Sequence, residues 1–147
     1  MDPLVGEFGT LLGAAAALER IAGRELERRC GIRHAVFEAL LRLKDGPVSM
    51  GDLAASLILT SGGATRLIDR METADLVTRH AAEGDRRRQI VRLTEAGEAR
   101  LAEALTVHAE TLRRHFAAPL KEDELRAMVE SLRTLRAHAR EELGSLR

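Results

Sequence analysis

The chain has almost no aromatic side chains: three Phe, no Trp and no Tyr among 147 residues. No aromatic cage or stacking platform can be assembled from them, which excludes single-strand nucleic-acid binders that stack bases on aromatic faces. The core must therefore be built from Leu, Ala, Val, Ile and Met. Cys30 is the one cysteine, so an intramolecular disulfide and a multi-cysteine zinc site are excluded, and a reducing cytoplasm is the expected compartment. No basic-then-apolar leader opens the chain, and no apolar run approaches the roughly 20 residues that span a bilayer. A soluble protein with no membrane partner is expected. Charge of one sign is missing too, because 23 Lys and Arg face 23 Asp and Glu. Any case for a polyanionic partner has to come from where the charges fall. Nucleophile elbows, phosphate loops and metal-binding helix motifs are absent, and Gly62-Gly63 is too short to cradle a pyrophosphate. No enzyme activity, cofactor or metal is expected.

The charges fall most unevenly between Gly84 and Gly97, which read Gly-Asp-Arg-Arg-Arg-Gln-Ile-Val-Arg-Leu-Thr-Glu-Ala-Gly. Gly84-Asp85 favours a tight reversal, and Arg86, Arg87 and Arg88 follow at once, so a hairpin tip here is strongly cationic. Ile90 to Leu93 is rich in β-branched residues, and Thr94 can cap a helix with Glu95 in its first turn. Val77-Thr78-Arg79-His80 supplies the other strand, so residues 77–93 are expected to form one antiparallel hairpin, a basic-tipped ribbon shaped like a DNA-binding wing.

Around this ribbon the pattern is helical. Asp2-Pro3 is a helix start, and Leu4, Phe8, Leu11, Ala15, Leu18, Ala22 and Leu26 recur at helical spacing up to Cys30-Gly31. A second helix has Val36, Phe37, Leu40, Leu41 and Leu43 on its apolar side and is stopped by Lys44-Asp45-Gly46-Pro47. Ser49 with Asp52 resembles a capping box for a short helix carrying Leu53 and Leu57. After a break at Leu59 to Gly63, Thr60 or Ser61 can cap another helix, with Ala64, Leu67, Ile68 and Met71 on one face. Two short helices joined by a tight turn make a helix-turn-helix. The outer face of the second presents Gly62, Gly63, Thr65, Arg66, Asp69 and Arg70. Beyond the hairpin, Leu101, Leu105, His108, Leu112 and Phe116 are expected on one stripe, ahead of a last helix with Leu125, Met128, Val129, Leu132, Leu135, Ala139 and Leu143. Three long helices exceed what a small central module can cover, so pairing between two subunits is the simplest way to bury their stripes.

In this order the elements resemble the MarR family of winged-helix transcriptional regulators. The run from Leu59 to Glu72 looks like that family's recognition helix, and Leu76-Val77-Thr78-Arg79 like the start of its wing. Asp85-Arg86-Arg87-Arg88-Gln89-Ile90-Val91-Arg92-Leu93-Thr94 matches its wing signature, an Asp and an Arg two apart followed by an apolar-x-Leu-Thr strand end. Where the family usually has glycine before the wing strand, this chain has Asp75, which tolerates a left-handed backbone. The implied fold is mainly α with a small β-hairpin, a winged helix-turn-helix module flanked by long N- and C-terminal dimerisation helices. Residues 1–147 are read as one domain, with 1–31 and 116–147 as dimerisation helices, 32–100 as the DNA-binding module and 94–117 as a connecting helix.

The resemblance implies a homodimeric transcriptional regulator of the cytoplasm and nucleoid that binds double-stranded DNA at a pseudo-palindromic site. It also implies repression relieved by a small apolar, aromatic or phenolic effector. An activator or effector-independent regulator, and a winged-helix module that contacts protein instead of DNA, are the alternatives. Arg87 is expected in the minor groove, where narrow A·T-rich duplex concentrates negative potential, with Asp85 holding the loop. Arg86 and Arg88 touch phosphates or face water. Thr65, Arg66 and Arg70 are the expected major-groove and phosphate contacts, with Ser61 and the helix N-terminus donating to phosphate. Arg70 has an alternative in pairing with Asp69 or Glu72. Some members of the family sense peroxide with one cysteine, and the cations beside Cys30 can lower a thiol pKa, yet a semi-buried structural thiol fits its place at a helix end better. His108, His115 and His138 are expected to be packed or dimer-facing, not metal ligands.

Overall fold

The computed structural model describes residues 1–57, 59 and 61–145, with the backbone alone at positions 61 and 145. Its elements run α1 (Pro3–Cys30), α2 (His34–Leu43), β1 (Val48–Ser49), α3 (Met50–Ser56), α4 (Ser61–Thr73), β2 (Val77–Ala82), β3 (Asp85–Leu93) and α5 (Glu95–Leu112), then a π-helical turn (Arg113–Ala117) and α6 (Glu122–Ser145). They form two compact units, Met1–Ala109 and Glu110–Arg147. No helix among the described residues is long and apolar enough to cross a membrane.

Local chemistry sets most boundaries in the first unit. Asp2 caps α1 by accepting from Leu4 N at 2.9 Å, and Pro3 occupies the first turn, where its missing N–H costs nothing. The helix ends at Gly31, whose φ of 66° lets its amide donate back to Glu27 O. Only the last third of α1 is buried, at Ala22, Leu26 and Cys30, whereas Leu4 and Phe8 are 67% and 61% exposed. Leu26 and Cys30 join Ile32, Phe37, Leu40, Leu43, Leu53, Leu67, Ile68, Met71, Val77, Val91, Leu101, Ala104 and Val107 in one core to which every element of the unit except β1 contributes a fully buried apolar side chain. Arg100 of α5 fastens the end of α1, donating through Nη2 to the Cys30 carbonyl at 2.6 Å.

Two expectations need correcting and one element is new. Val48–Ser49 is a strand that pairs antiparallel with β3 (Val48 with Val91, Ser49 with Ile90), so the hairpin belongs to a three-stranded sheet ordered β1-β3-β2. Ser49 still caps α3, its Oγ accepting from Asp52 N at 3.2 Å. On α5 the core-facing side chains are Leu101, Ala104 and Val107, with His108 half-buried beside them, so the expected stripe holds at Leu101 and His108 and fails at Leu105, which faces solvent. That stripe does not continue in α-helical register to Phe116 either. In the second unit Arg113–Ala117 is π-helical, with Ala118 N donating to Arg113 O at 2.9 Å, and the wider turn rotates the side chains that follow. α6 then keeps Leu125, Met128, Val129 and Leu132 half-buried and leaves Leu135 and Leu143 exposed. Thr60 and the Ser61 side chain, expected to cap α4, lie outside the described residues.

Candidate nucleic-acid interface

Helix α4 is amphipathic over its whole length. Ala64, Leu67, Ile68 and Met71 point into the core, and Gly62, Thr65, Arg66, Asp69 and Arg70 are exposed on the other side. Arg66 and Arg70 lie four residues apart, one helical turn, on that outer face. At its C-terminal end Asp75 takes a left-handed backbone with φ of 60°, as expected of the residue standing where glycine is usual. The turn it makes is held by Leu76 N donating to Met71 O at 2.9 Å and by Thr94 N donating to Leu76 O at 3.0 Å. Thr94 Oγ1 donates to the Asp75 carbonyl and accepts from Gly97 N, so one hydroxyl ties the end of α4 to the start of α5.

The wing rises from this junction. β2 and β3 pair from Val77 with Leu93 outward, with a register shift between Ala81 and Ala82, and the chain reverses at Glu83-Gly84, where Gly84 has φ of 79°. Val77 and Val91 anchor the base of the ribbon in the core. Asp85 Oδ1 accepts from Arg87 N at 3.0 Å, which fixes the backbone of the tip. Arg86, Arg87 and Arg88 are exposed, and strand alternation sends Arg87 to the face opposite the other two. Thr65, Arg66 and Arg70 on the helix and Asp85 to Arg88 on the tip thus form two separate groups on one unit. The side chain of Ser61 is outside the described residues.

Arg79 is the residue that sequence reasoning passed over. Its Nη2 bridges Asp69 Oδ1 and, at 3.0 Å, Glu72 Oε1, joining β2 to the outer face of α4. The carboxylates of Glu72 and Asp69 hold its guanidinium pKa above the ordinary arginine value. The two acids expected to compete for Arg70 are therefore taken by Arg79. The missed signal is the spacing itself: two acids one turn apart face a cation just beyond a left-handed turn.

Two other candidates, Cys30 and His108, pack against the core. Cys30 is 8% exposed, and burial raises its thiol pKa, with Glu103 adding to the rise; Arg100 and Arg29 pull the other way without prevailing. Desolvation thus outweighs the neighbouring cations that could have lowered it. His108 packs its ring 4.9 Å from that of Phe37, and its buried Nδ1 has no hydrogen-bond partner among the described residues. Desolvation lowers its pKa, against the pull of Glu38.

A helix-turn-helix whose second helix exposes Arg66 and Arg70, followed by an arginine-tipped β-ribbon, defines a winged helix-turn-helix protein. The family model for the MarR family matches residues 33–88. The uncharacterized HTH-type transcriptional regulator YsmB of Bacillus subtilis is 31% identical over 132 residues, 89% of this chain and 90% of that one. Among solved structures, AbsC, a MarR family transcriptional regulator from Streptomyces coelicolor, superposes with a TM-score of 0.80 at 27% identity, over 95% of this chain and 96% of its own. Sco3205, a MarR family transcriptional regulator from the same organism solved in complex with DNA, gives 0.76 at 23% identity, over 88% of this chain and 82% of its own. The chain belongs to the MarR family of HTH-type transcriptional regulators.

Proposed function

We propose that this protein binds double-stranded DNA as a homodimer, with α4 in the major groove and Arg87 of the wing in the adjacent minor groove. The observation that carries this is the pairing of Arg66 and Arg70 on the exposed face of α4 with Arg86, Arg87 and Arg88 on the tip of a ribbon anchored at the same junction. Thr65, Arg66 and Arg70, with Ser61 at the helix start, contact bases and phosphates, Arg86 and Arg88 meet phosphates, and Asp85 keeps the tip in shape. Sco3205 was solved in complex with DNA, which supports the same use of the shared fold.

Residues 1–31 and 116–147 serve as dimerisation helices around a DNA-binding module of 32–100, with 94–117 as the connecting helix. Leu4, Val5, Phe8 and Leu12 on α1 and Leu135 and Leu143 on α6 are exposed in the single chain, and covering each is worth about 1.5–3 kcal/mol. The protein acts as a repressor at the nucleoid, released by a small ring-bearing effector. A cavity of about 330 Å³ lined by Glu19 of α1, His34, Glu38 and Arg42 of α2, and Leu57, Leu59 and Leu67 is of a size to take one.

The test is selection of random duplex DNA by the purified protein, then binding of the selected site by wild type and Arg87→Ala across a salt series. A symmetric site with half-sites roughly 10 base pairs apart is expected. Arg87→Ala should bind it roughly 5- to 100-fold more weakly with a shallower salt slope. No enriched sequence, with binding indifferent to Arg87→Ala, would refute the proposal.

A further inference from the structure

On the outer face of α4, Arg66 and Arg70 are matched one for one by Asp69 and Glu72, so the helix by itself presents no net charge to a polyanion. Phosphates approaching this face lie within a Debye length, about 10 Å at 0.1 M salt, of all four side chains. Helix spacing offers Asp69 to Arg66 at i,i+3. Among the described residues, however, neither Arg66 nor Arg70 forms an ion pair with either acid. Both acids are gathered by the single Nη2 of Arg79, which is 20% exposed and comes from another element, the first wing strand.

We propose that Arg79 is a positioning residue whose main effect is to mask Asp69 and Glu72, leaving Arg66 and Arg70 free for phosphate and turning the face cationic only when the wing is docked. This rests on the DNA-binding function proposed above. The wing thus contributes twice, through the arginines at its tip and through a cation at its base that never needs to touch DNA. A single nitrogen makes both contacts, so the positive charge matters more than the planar guanidinium fork.

The experiment measures binding of the selected duplex by anisotropy for wild type, Arg79→Gln, Arg79→Lys, the pair Asp69→Asn with Glu72→Gln, and the triple Asp69→Asn, Glu72→Gln, Arg79→Gln. Each variant is checked for folding by circular dichroism. Arg79→Gln is expected to lose roughly tenfold in affinity, because two unmasked carboxylates then oppose the phosphates. Arg79→Lys and the triple variant should return to within about threefold of wild type, and the acid pair alone should bind at least as tightly as wild type.

Binding by Arg79→Gln equal to wild type would overturn the masking role. So would a triple variant as weak as Arg79→Gln, which would mean that Arg79 merely holds the wing in place. If Arg79→Gln does not fold, the acid pair still decides: weaker binding than wild type refutes masking, and equal or tighter binding upholds it. Failure of wild type to select any duplex would instead strike the DNA-binding function itself, which separates the two failures.

Discussion

Gly97 leaves no room for a side chain, and alanine there should destabilise the protein by about 2–4 kcal/mol. The residue is buried in the first turn of α5, and a Cβ built on it would overlap the Leu76 carbonyl oxygen and come within 3.0 Å of its carbon. Its neighbour is backbone and cannot swing aside. Leu76 O already accepts from Thr94 N at 3.0 Å, and Leu76 N donates to Met71 O at 2.9 Å. Making room therefore means moving the start of α5 away from the turn after α4. That sacrifices the Thr94–Leu76 hydrogen bond and the Thr94 cap, about 1 kcal/mol each. It also disturbs the packing of Val77 and Val91, for about 1–3 kcal/mol more. Alanine recovers about 1 kcal/mol through its better helix propensity. Urea unfolding followed by circular dichroism at fixed protein concentration measures the net effect. Gly51→Ala is the control, since Gly51 in α3 has nothing within 4 Å of a built Cβ. It should leave stability unchanged or raise it by up to about 1 kcal/mol. If Gly97→Ala unfolds within about 0.5 kcal/mol of wild type, the close approach of α5 to Leu76 is wrong.

The pH dependence of stability should carry the mark of His108. Its pKa is depressed in the folded state by burial, so the unfolded chain binds the proton more readily. The stability this represents is complete above the unfolded value, about 6.5, and is lost as pH falls from there through the lower folded value. Thermal melts at pH 7.5 and 5.5 should therefore show a smaller acid loss for His108→Leu than for wild type. The variant should also equal or exceed wild-type stability at pH 7.5 by up to about 1 kcal/mol, because an unpaired buried nitrogen is removed; an identical acid loss in both proteins would refute the assignment. For Cys30, burial and a raised pKa predict that a disulfide reagent at pH 8 reacts roughly a hundredfold more slowly with native protein than with protein in urea. Rapid native-state reaction would restore a sensory role to this thiol.

What was legible in the sequence was local. Asp2-Pro3, Ser49, Asp75 and Thr94 each act through hydrogen bonds or backbone angles within a few residues of themselves, and each stands in the structure where its chemistry put it. Period and turn chemistry were likewise enough for α4 and for the hairpin. Features that depend on a neighbour from elsewhere in the chain escaped. Two residues of β1 are too few to show a period, and they become a strand only because β3 lies beside them. Leu105 fits a stripe as well as Ala104 does, and only packing against the core makes Ala104 the buried one. The π-helical turn is a change of register that no apolar spacing announces. Arg79 read as one more wing cation because its partners are on α4, across the Asp75 turn. On the candidate interface, the cationic residues were visible one by one, whereas what keeps the neighbouring acids away from them was not.

These contacts also constrain how a DNA-binding surface of this kind can be regulated. The end of α4, the base of the wing and the start of α5 meet at Asp75, Leu76, Thr94 and Gly97 in backbone or hydroxyl hydrogen bonds, and Arg79 braces α4 against β2 a short way along. Because these bonds share a handful of residues, changing the angle between α4 and the wing would break several together. The cavity lined by Glu19, His34, Glu38, Arg42 and Leu67 is walled by α1, α2, α3 and α4, and none of the junction residues Asp75, Leu76, Thr94 and Gly97 lines it. An effector bound there would, under the proposed function, act on how α1 and α2 pack against α3 and α4. Under the proposed function, release from DNA then comes from moving the reading surface as one body relative to its symmetry mate, with the surface itself unchanged.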